Sequence, residues 1–150
     1  MANVIPFSFR GALFSGNHDF ATSGNTFKLA LYTAGSGSPY STASTVYTSG
    51  TSNQVGTSGT GYSTGGNTLT SQAVASGSAV ASVDFADTEW TSATFTAAYG
   101  VIYNSTTVDS TADRLVVVLD FGGDKTCTNG TFKITFPNPA TPGDAILSMA

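Results

Sequence analysis

Four short runs between residues 90 and 136 constrain the fold more than any other part of the chain. Each run is rich in β-branched and aromatic residues and is bounded by Asn, Asp, Gly or Pro, which is typical of strands separated by turns. In the last run Phe132, Ile134 and Phe136 alternate with polar residues, the period-2 pattern of a strand with one buried face. The runs predict antiparallel β structure and cover residues 90–96, 99–103, 115–121 and 131–136.

The third run and the segment after it give the most specific expectations. Residues 115–119 are apolar on both faces, so we expect a central strand that is covered on each side. Gly122-Gly123-Asp124-Lys125 follows, and a glycine pair suits a tight connection that needs positive φ. We expect this half of the chain to form antiparallel β structure, and nothing in it has the pattern of an active site.

The remaining segments extend the same pattern. Phe27, Leu29 and Leu31 alternate with a second set of side chains in a predicted strand that ends at Thr33. No segment of about 11 or more residues keeps a 3.6-residue period, so we expect very little helix. The chain is predicted to be a single all-β domain spanning residues 1–150, either an antiparallel two-sheet sandwich or a small barrel. Further strands are predicted within residues 45–47, 67–75, 78–85 and 145–149.

Residues 1–11 form a predicted apolar N-terminal arm. Val4, Ile5, Phe7 and Phe9 carry its apolar character, and Pro6 blocks a regular central strand. Two interpretations fit this pattern. The arm docks on a neighbouring subunit, or it is an edge strand within its own domain, since the alternation of Phe7 and Phe9 suits either. The next segment, residues 12–24, is predicted to be a short helical turn or a loop.

Residues 34–66 form a low-complexity tract dominated by Gly, Ser and Thr. A tract of this composition is usually a flexible linker, but Tyr40, Tyr47 and Tyr62 are spaced through it. Tyrosines offer a large amphipathic contact area, which argues against a free linker. We therefore expect an extended loop that lies on the domain or on a partner, with these tyrosines as candidate partner-binding residues.

The composition excludes several classes of function. Charged residues make up only 9% of the chain, against about 25% in an ordinary soluble domain, and the formal net charge is −4. Five scattered Lys and Arg residues do not make a phosphate-neutralising stripe, so no nucleic-acid partner is expected. No run approaches the length of a membrane span, and no membrane partner is expected. A surface with few charges and many hydroxyls suits a protein that packs against others in a shell, fibre or lattice.

Several motifs have the spelling of catalytic or metal-binding sites but are better explained as ordinary loop and turn residues. Gly61-Tyr62-Ser63-Thr64-Gly65 has the spelling of a nucleophile elbow, but its flanks lack the strand and helix that the elbow needs. His18 beside Asp19 is more typical of local backbone hydrogen bonding than of an acid–base pair. The acidic residues near position 87 have no calcium-loop spacing. The sequence therefore predicts no enzyme, no metal and no cofactor.

Several segments of the chain resemble small virion-associated proteins of tailed bacteriophages. The resemblance lies in the order of glycines and aromatics and implies a phage structural role, with no catalytic residues to carry over. It covers nearly all of the chain from about residue 17 onward. The segments are NTFKLALYT (25–33), GTGYSTGGNTL (59–69), DTEWT (87–91), VIYN (101–104), LDFGGD (119–124) and the closing run 132–146.

Two roles remain open within that context. A capsid decoration, or cement, protein would bind the outer surface of the head and stabilise capsomer contacts, with the major capsid protein and copies of itself as partners, either as a trimer or at capsomer junctions. A tail or head-fibre protein would instead present aromatic loops to host-surface glycans. Fibre proteins usually carry long coiled-coil or repetitive segments, which this chain lacks. We therefore expect a decoration protein, made in the host cytoplasm and located on the capsid surface of the virion.

Overall fold

The computed structural model describes residues 3–76, 80–137 and 145–149, which form two antiparallel sheets and one short helix. The larger sheet has the strand order β2-β1-β5-β6 and the smaller one β3-β4-β7, with no closed barrel in the described part of the chain. The predicted all-β class is confirmed, and the two-sheet arrangement is the one present. The elements are α1 (Phe7–Phe14), β1 (Phe27–Tyr32), β2 (Asn67–Thr68), β3 (Ala73–Ser76), β4 (Ala81–Asp84), β5 (Thr88–Asn104), β6 (Arg114–Ile134) and β7 (Leu147–Met149).

The four runs of residues 90–136 are two long strands rather than four short ones. β5 and β6 pair antiparallel along most of their length, with register shifts at four places. The predicted tight connection at Gly122 is therefore wrong. Gly122 and Gly123 do adopt φ values of +72° and +130°. They lie, however, in a bulge of β6 between the pairs Tyr99↔Asp120 and Ala97↔Lys125. Extra residues in one strand interrupt the alternation without ending the strand, and the sequence pattern does not distinguish this from a turn.

The apolar segment of β6 is covered on both faces, as predicted, but it is the last strand of its sheet and not a central one. Val116 and Val117 pack on one face, and Leu115 and Val118 on the other. The outer edge is closed by other parts of the chain. Val4 exchanges two backbone hydrogen bonds with Val118, at 2.9 and 2.8 Å, and the Leu115 N–H donates to the carbonyl of Thr45. These two short bridges therefore pair backbone groups of the strand edge that a neighbouring strand would otherwise pair.

The larger sheet has an apolar cluster on each of its faces. One cluster includes Phe27, Leu29 and Leu31 and packs against α1 and the smaller sheet. The other includes Tyr32 and Tyr103 and packs against the Gly/Ser/Thr-rich tract. The strand predicted to end at Thr33 is present as β1 and ends at Tyr32, and its alternation is between two buried faces. A sheet of this kind needs a cover on both sides, and here a helix, a small sheet and a long loop supply it.

The helix α1 begins within the N-terminal arm, so the edge-strand interpretation of Phe7 and Phe9 is wrong. Pro6 precedes the helix with φ −62° and ψ 147°, and no side chain caps the first turn. A helix of eight residues is marginal by itself and depends on packing, which Phe9 and Ala12 provide. Phe9 enters the core while Phe7 remains exposed, because residues two apart point in different directions on a helix.

The other predicted strands are present in shorter form. The strand near residues 45–47 is a single bridge between Val46 and Arg114. Residues 67–75 contain β2 and the first part of β3, and residues 78–85 contain β4. The closing strand is β7. Gly77, which separates the predicted strands at 67–75 and 78–85, lies outside the described residues.

Candidate functional site

Two of the three predicted tyrosines of the tract, Tyr47 and Tyr62, meet around the side-chain amide of Gln54. Its Nε2 donates hydrogen bonds to the hydroxyl oxygens of Tyr47 and Tyr62, both at 3.0 Å. The Tyr62 hydroxyl oxygen also accepts the backbone N–H of Leu31 at 3.0 Å. The Tyr47 ring stacks on that of Tyr103, with centroids 4.1 Å apart. These contacts hold the tract against the larger sheet.

Burial determines what these tyrosines can do. Tyr47 and Tyr62 are buried, and loss of hydration raises the pKa of both phenols above the ordinary value. Tyr40 is half-buried, and its hydroxyl lies 3.2 Å from that of Tyr32. All three rings therefore serve first as contacts within the domain, and only Tyr40 retains part of its surface.

The four predicted residues of the N-terminal arm also differ in how far they are buried. Val4 and Ile5 are half-buried, and Val4 is fixed by its backbone bridge to Val118. Phe9 is buried in the core between α1 and the sheets. Phe7 is exposed, with the guanidinium carbon of Arg10 5.6 Å from its ring centroid. The arm is thus attached to its own domain, and Phe7 is its exposed apolar side chain.

A concave apolar surface lies between α1 and the smaller sheet, and we call it the apolar cleft. It has a volume of about 600 Å³, and Ile5, Phe9, Leu13 and Phe20 lie on its walls. Its rim carries Phe14, which is 95% exposed, together with Val74 and Met149, each more than half exposed. Exposed apolar groups gathered around a cleft mark an interaction surface more often than scattered ones do.

The cleft is nearly free of charge. Among its described lining residues Arg10 is the one charged side chain, and the others are apolar or are serines. Such a surface fits apolar side chains of a protein partner, because the core of a protein interface is depleted in charge and enriched in aromatics and Met.

Sequence patterns did not indicate the rim of this cleft. Phe14 falls in a segment that was predicted to be a turn or a loop, and Val74 and Met149 lie on separate strands. These residues are distant in sequence and come together only when the small sheet packs beside the helix.

The motifs that suggest catalysis are dispersed. The carbonyl of Ser63 accepts the N–H of Gly66 in a turn, and neither strand nor helix flanks the serine as the elbow requires. His18 is buried and its Nδ1 lies 3.3 Å from Asn104 Nδ2, whereas Asp19 accepts the backbone N–H of Ala21. Burial and the nearby positive charge of Arg114 lower the pKa of His18 to about 4.

The acidic residues near position 87 have structural partners. Asp87 forms an ion pair with Lys133 at 2.9 Å and accepts the backbone N–H of Phe136, and these contacts lower the pKa of its carboxyl. Within residues 3–76, 80–137 and 145–149, no three His, Cys, Asp or Glu side chains are placed to hold a metal ion together. In the same residues no helix has the length and hydropathy needed to span a membrane.

Comparison of the chain with protein-family models, with curated proteins and with solved structures finds no match.

Proposed function

We propose that this chain is a structural protein of a tailed-bacteriophage virion and, within the virion, a capsid decoration protein. In this role it binds the outer surface of the head, contacts the major capsid protein and copies of itself, and stabilises the junctions between capsomers. The observation that carries the proposal is the apolar cleft, with Phe14 standing almost fully in solvent at its rim.

The exposed rim argues for a protein partner because leaving it in water is unfavourable. Burial of one Phe, Val or Met side chain is worth about 1.5–3 kcal/mol. A few such side chains give only a weak contact with a single partner molecule. On a symmetric shell the same contact is repeated many times, so that modest affinity at each junction is sufficient.

Composition supports the same role. Charged residues are 9% of the chain, which gives little electrostatic repulsion between neighbouring copies. The order of glycines and aromatics that resembles virion-associated proteins is an independent reason for the phage context. Neither feature favours an enzyme.

The test is binding of the purified protein to phage heads that lack it, followed by co-sedimentation. We expect Phe14→Ser combined with Met149→Ser to weaken binding about tenfold or more, with little change in the melting temperature, because both side chains are already exposed. Undiminished binding of this folded double variant would contradict the role of the cleft.

Phe7→Ser is the comparison variant, since it removes an exposed ring of the same helix that does not line the cleft. Normal binding by this variant places the contact in the cleft, and reduced binding extends the contact to the N-terminal face. Immunogold labelling of whole particles tests the location directly. Label spread over the heads supports decoration, whereas label confined to tail tips or one vertex favours the alternative role in host-surface glycan recognition.

A further inference from the structure

A second cavity lies on the other side of α1 from the apolar cleft. It has a volume of about 270 Å³ and is lined by residues of α1, of the tract and of the start of β6. Its described lining contains one cationic side chain, Arg114, and no carboxylate. His18 and the hydroxyl residues Ser8, Thr45 and Thr111 also line it. The polarity of this cavity distinguishes it from the cleft.

Arg114 has more hydrogen-bond donors than the described protein satisfies. Its Nη2 donates to the carbonyl of Val108 at 3.1 Å. Its Nε is shielded from bulk solvent and has no hydrogen-bond partner among the described residues. No ion pair to a carboxylate is present for this guanidinium in the part of the chain that the structure describes. A half-buried positive charge without a counter-charge is unfavourable unless something else supplies one.

His18 presents a second unpaired donor, and the surrounding hydrogen bonds identify which nitrogen carries the proton. The Asn104 side-chain oxygen accepts the N–H of Thr106 at 3.0 Å, and its nitrogen donates to Asn25 Oδ1 at 2.8 Å. Asn104 Nδ2 therefore faces His18 Nδ1 as a donor, so Nδ1 is the acceptor of the neutral ring. The proton is then on Nε2, which is buried and has no described partner.

We propose that this cavity binds a small oxyanion, a carboxylate or a phosphate group, between Arg114 and His18. The guanidinium supplies the positive charge and its unpaired N–H groups, and the imidazole supplies a neutral N–H donor. His18 is only 7% exposed, so its orientation is fixed by packing and by Asn104. The side chains that form the site are separated by almost a hundred residues and belong to elements that the sequence did not associate.

The charge of the lining favours an anion over other occupants. A cation would be repelled by Arg114, and an apolar group would leave both N–H donors without an acceptor. The volume suits a group of a few atoms and is too small for a nucleotide or an oligosaccharide. Two sources have the required chemistry: free inorganic phosphate, and a carboxylate presented by a polypeptide.

The first experiment is thermal unfolding of the full chain in sodium chloride, with sodium phosphate or sodium acetate replacing part of the salt at constant ionic strength. A ligand that binds only the folded state raises the melting temperature with its concentration. We expect such a rise with at least one of the two anions. A response to phosphate alone identifies an inorganic phosphate site, and a response to acetate as well identifies a site for a polypeptide carboxylate, in each case provided that Arg114→Gln abolishes the response, because phosphate also stabilises folded proteins by exclusion from their surface. Absence of a response to either overturns the proposal.

Arg114→Gln is the test variant, and Arg10→Gln is its matched control. Arg10 is exposed and lines the apolar cleft, so its substitution makes the same change in net charge away from the cavity. We expect about tenfold weaker anion binding for Arg114→Gln or more, and about wild-type binding for Arg10→Gln. Equal loss in both variants would indicate non-specific charge screening and would refute the site.

A measurement on the unsubstituted protein keeps the test valid if Arg114→Gln fails to fold. Long-range ¹H–¹⁵N spectra report the tautomer of His18 and the Nε–H of Arg114. We expect a protonated Nε2 on His18, and we expect both N–H signals to shift when the anion is added. A proton on Nδ1, or two signals that do not respond to either anion, would contradict the proposal.

Discussion

Asn104 shows how a single fully buried side chain can join distant parts of this chain. It lies at the end of β5 and is completely shielded from solvent. Its amide donates to the carbonyl of Asn17 and to the side chain of Asn25, and its oxygen accepts the N–H of Thr106. The segment that carries His18 is thereby attached to the end of the sheet. A buried amide with its partners satisfied in this way specifies one arrangement of the loops around it.

His18 should make the protein sensitive to mild acid. Its pKa is lowered to about 4 in the folded state from 6.5, so between these values the unfolded chain binds the proton and the folded one does not. Stability is therefore highest above pH 6.5 and falls as the pH decreases toward 4. We expect a loss of about 2 kcal/mol after allowance for solvent screening.

Denaturant unfolding at several pH values between 7 and 4 measures this effect. His18→Gln removes the titrating ring, so its stability should fall less over the same interval than that of the wild type. Carboxyl groups titrate in both proteins and cancel in the difference. Equal losses in the two proteins would mean that His18 is not held neutral by the fold.

Gly66 occupies a position where a side chain has no room. It adopts φ +73°, and a Cβ atom there would overlap the backbone carbonyl of Leu29. Gly122 is a matched control, with φ +72° and open space around the same position. We expect Gly122→Ala to cost about 1–2 kcal/mol for the left-handed conformation alone, and Gly66→Ala to cost at least about 2 kcal/mol more. Chemical denaturation of both variants gives the difference, and equal costs would contradict the close approach.

Two phenylalanines of the helix α1 differ sharply in burial. Phe9 is 4% exposed and packs in the core, whereas Phe14 at the other end is almost wholly in solvent. Phe9→Ala should cost about 3–5 kcal/mol through lost burial and the cavity left behind. Phe14→Ala should change stability by about 0.5 kcal/mol or less. Thermal unfolding of the two variants, which differ only in position along one helix, tests whether the helix packs as described.

The β5–β6 pair explains why element boundaries were harder to predict than element type. The four runs lie in β5 and β6, apart from the last two residues of run 131–136, which follow the end of β6 at Ile134, because alternation and β-branched residues report local backbone conformation. The interruptions at Ser92, Gly122 and Asn129 carry positive φ and resemble turns in sequence. Whether such a residue ends a strand or produces a bulge depends on the partner strand, which local sequence does not describe.

The whole molecule depends on a long loop as one of its covering layers. Within residues 34–66, Tyr47 stacks on Tyr103 over one face of the larger sheet, Val55 and Tyr62 join the apolar cluster of the other face, and Gln54 connects the hydroxyls of Tyr47 and Tyr62. We therefore expect the tract to be ordered in the isolated protein. Its backbone N–H groups at Tyr47 and Val55 donate to Asp113 and Leu31, and they should exchange slowly with solvent.

Gln54→Leu tests the amide that organises this layer. We expect hydrogen exchange at Tyr47 and Val55 to become about ten to a hundred times faster, because the two tyrosine hydroxyls lose their donor. Gln72→Leu is the control, since that buried amide donates to Ala21 and Asn25 in a different region. Fast exchange at Tyr47 and Val55 in the unsubstituted protein would mean that the tract is not a fixed layer.

The sequence by itself determined the class of the fold and the location of its main strands. Period-2 alternation of Phe27, Leu29 and Leu31, and the fully apolar start of β6, follow from which side of a strand is buried, and that is a local property. Burial of Trp90, which begins an alternating run, follows from the same rule.

Only the tertiary structure decided which surfaces remain exposed and which polar groups meet. Phe7 and Phe9 are alike in sequence, yet a helix directs one to solvent and the other to the core. Phe14 and Met149 reach the same cleft, and His18 and Arg114 the same cavity, from opposite parts of the chain. Residue type fixes the tendency of a side chain to be buried or paired. Its partners depend on long-range packing, and both proposed sites depend on that packing.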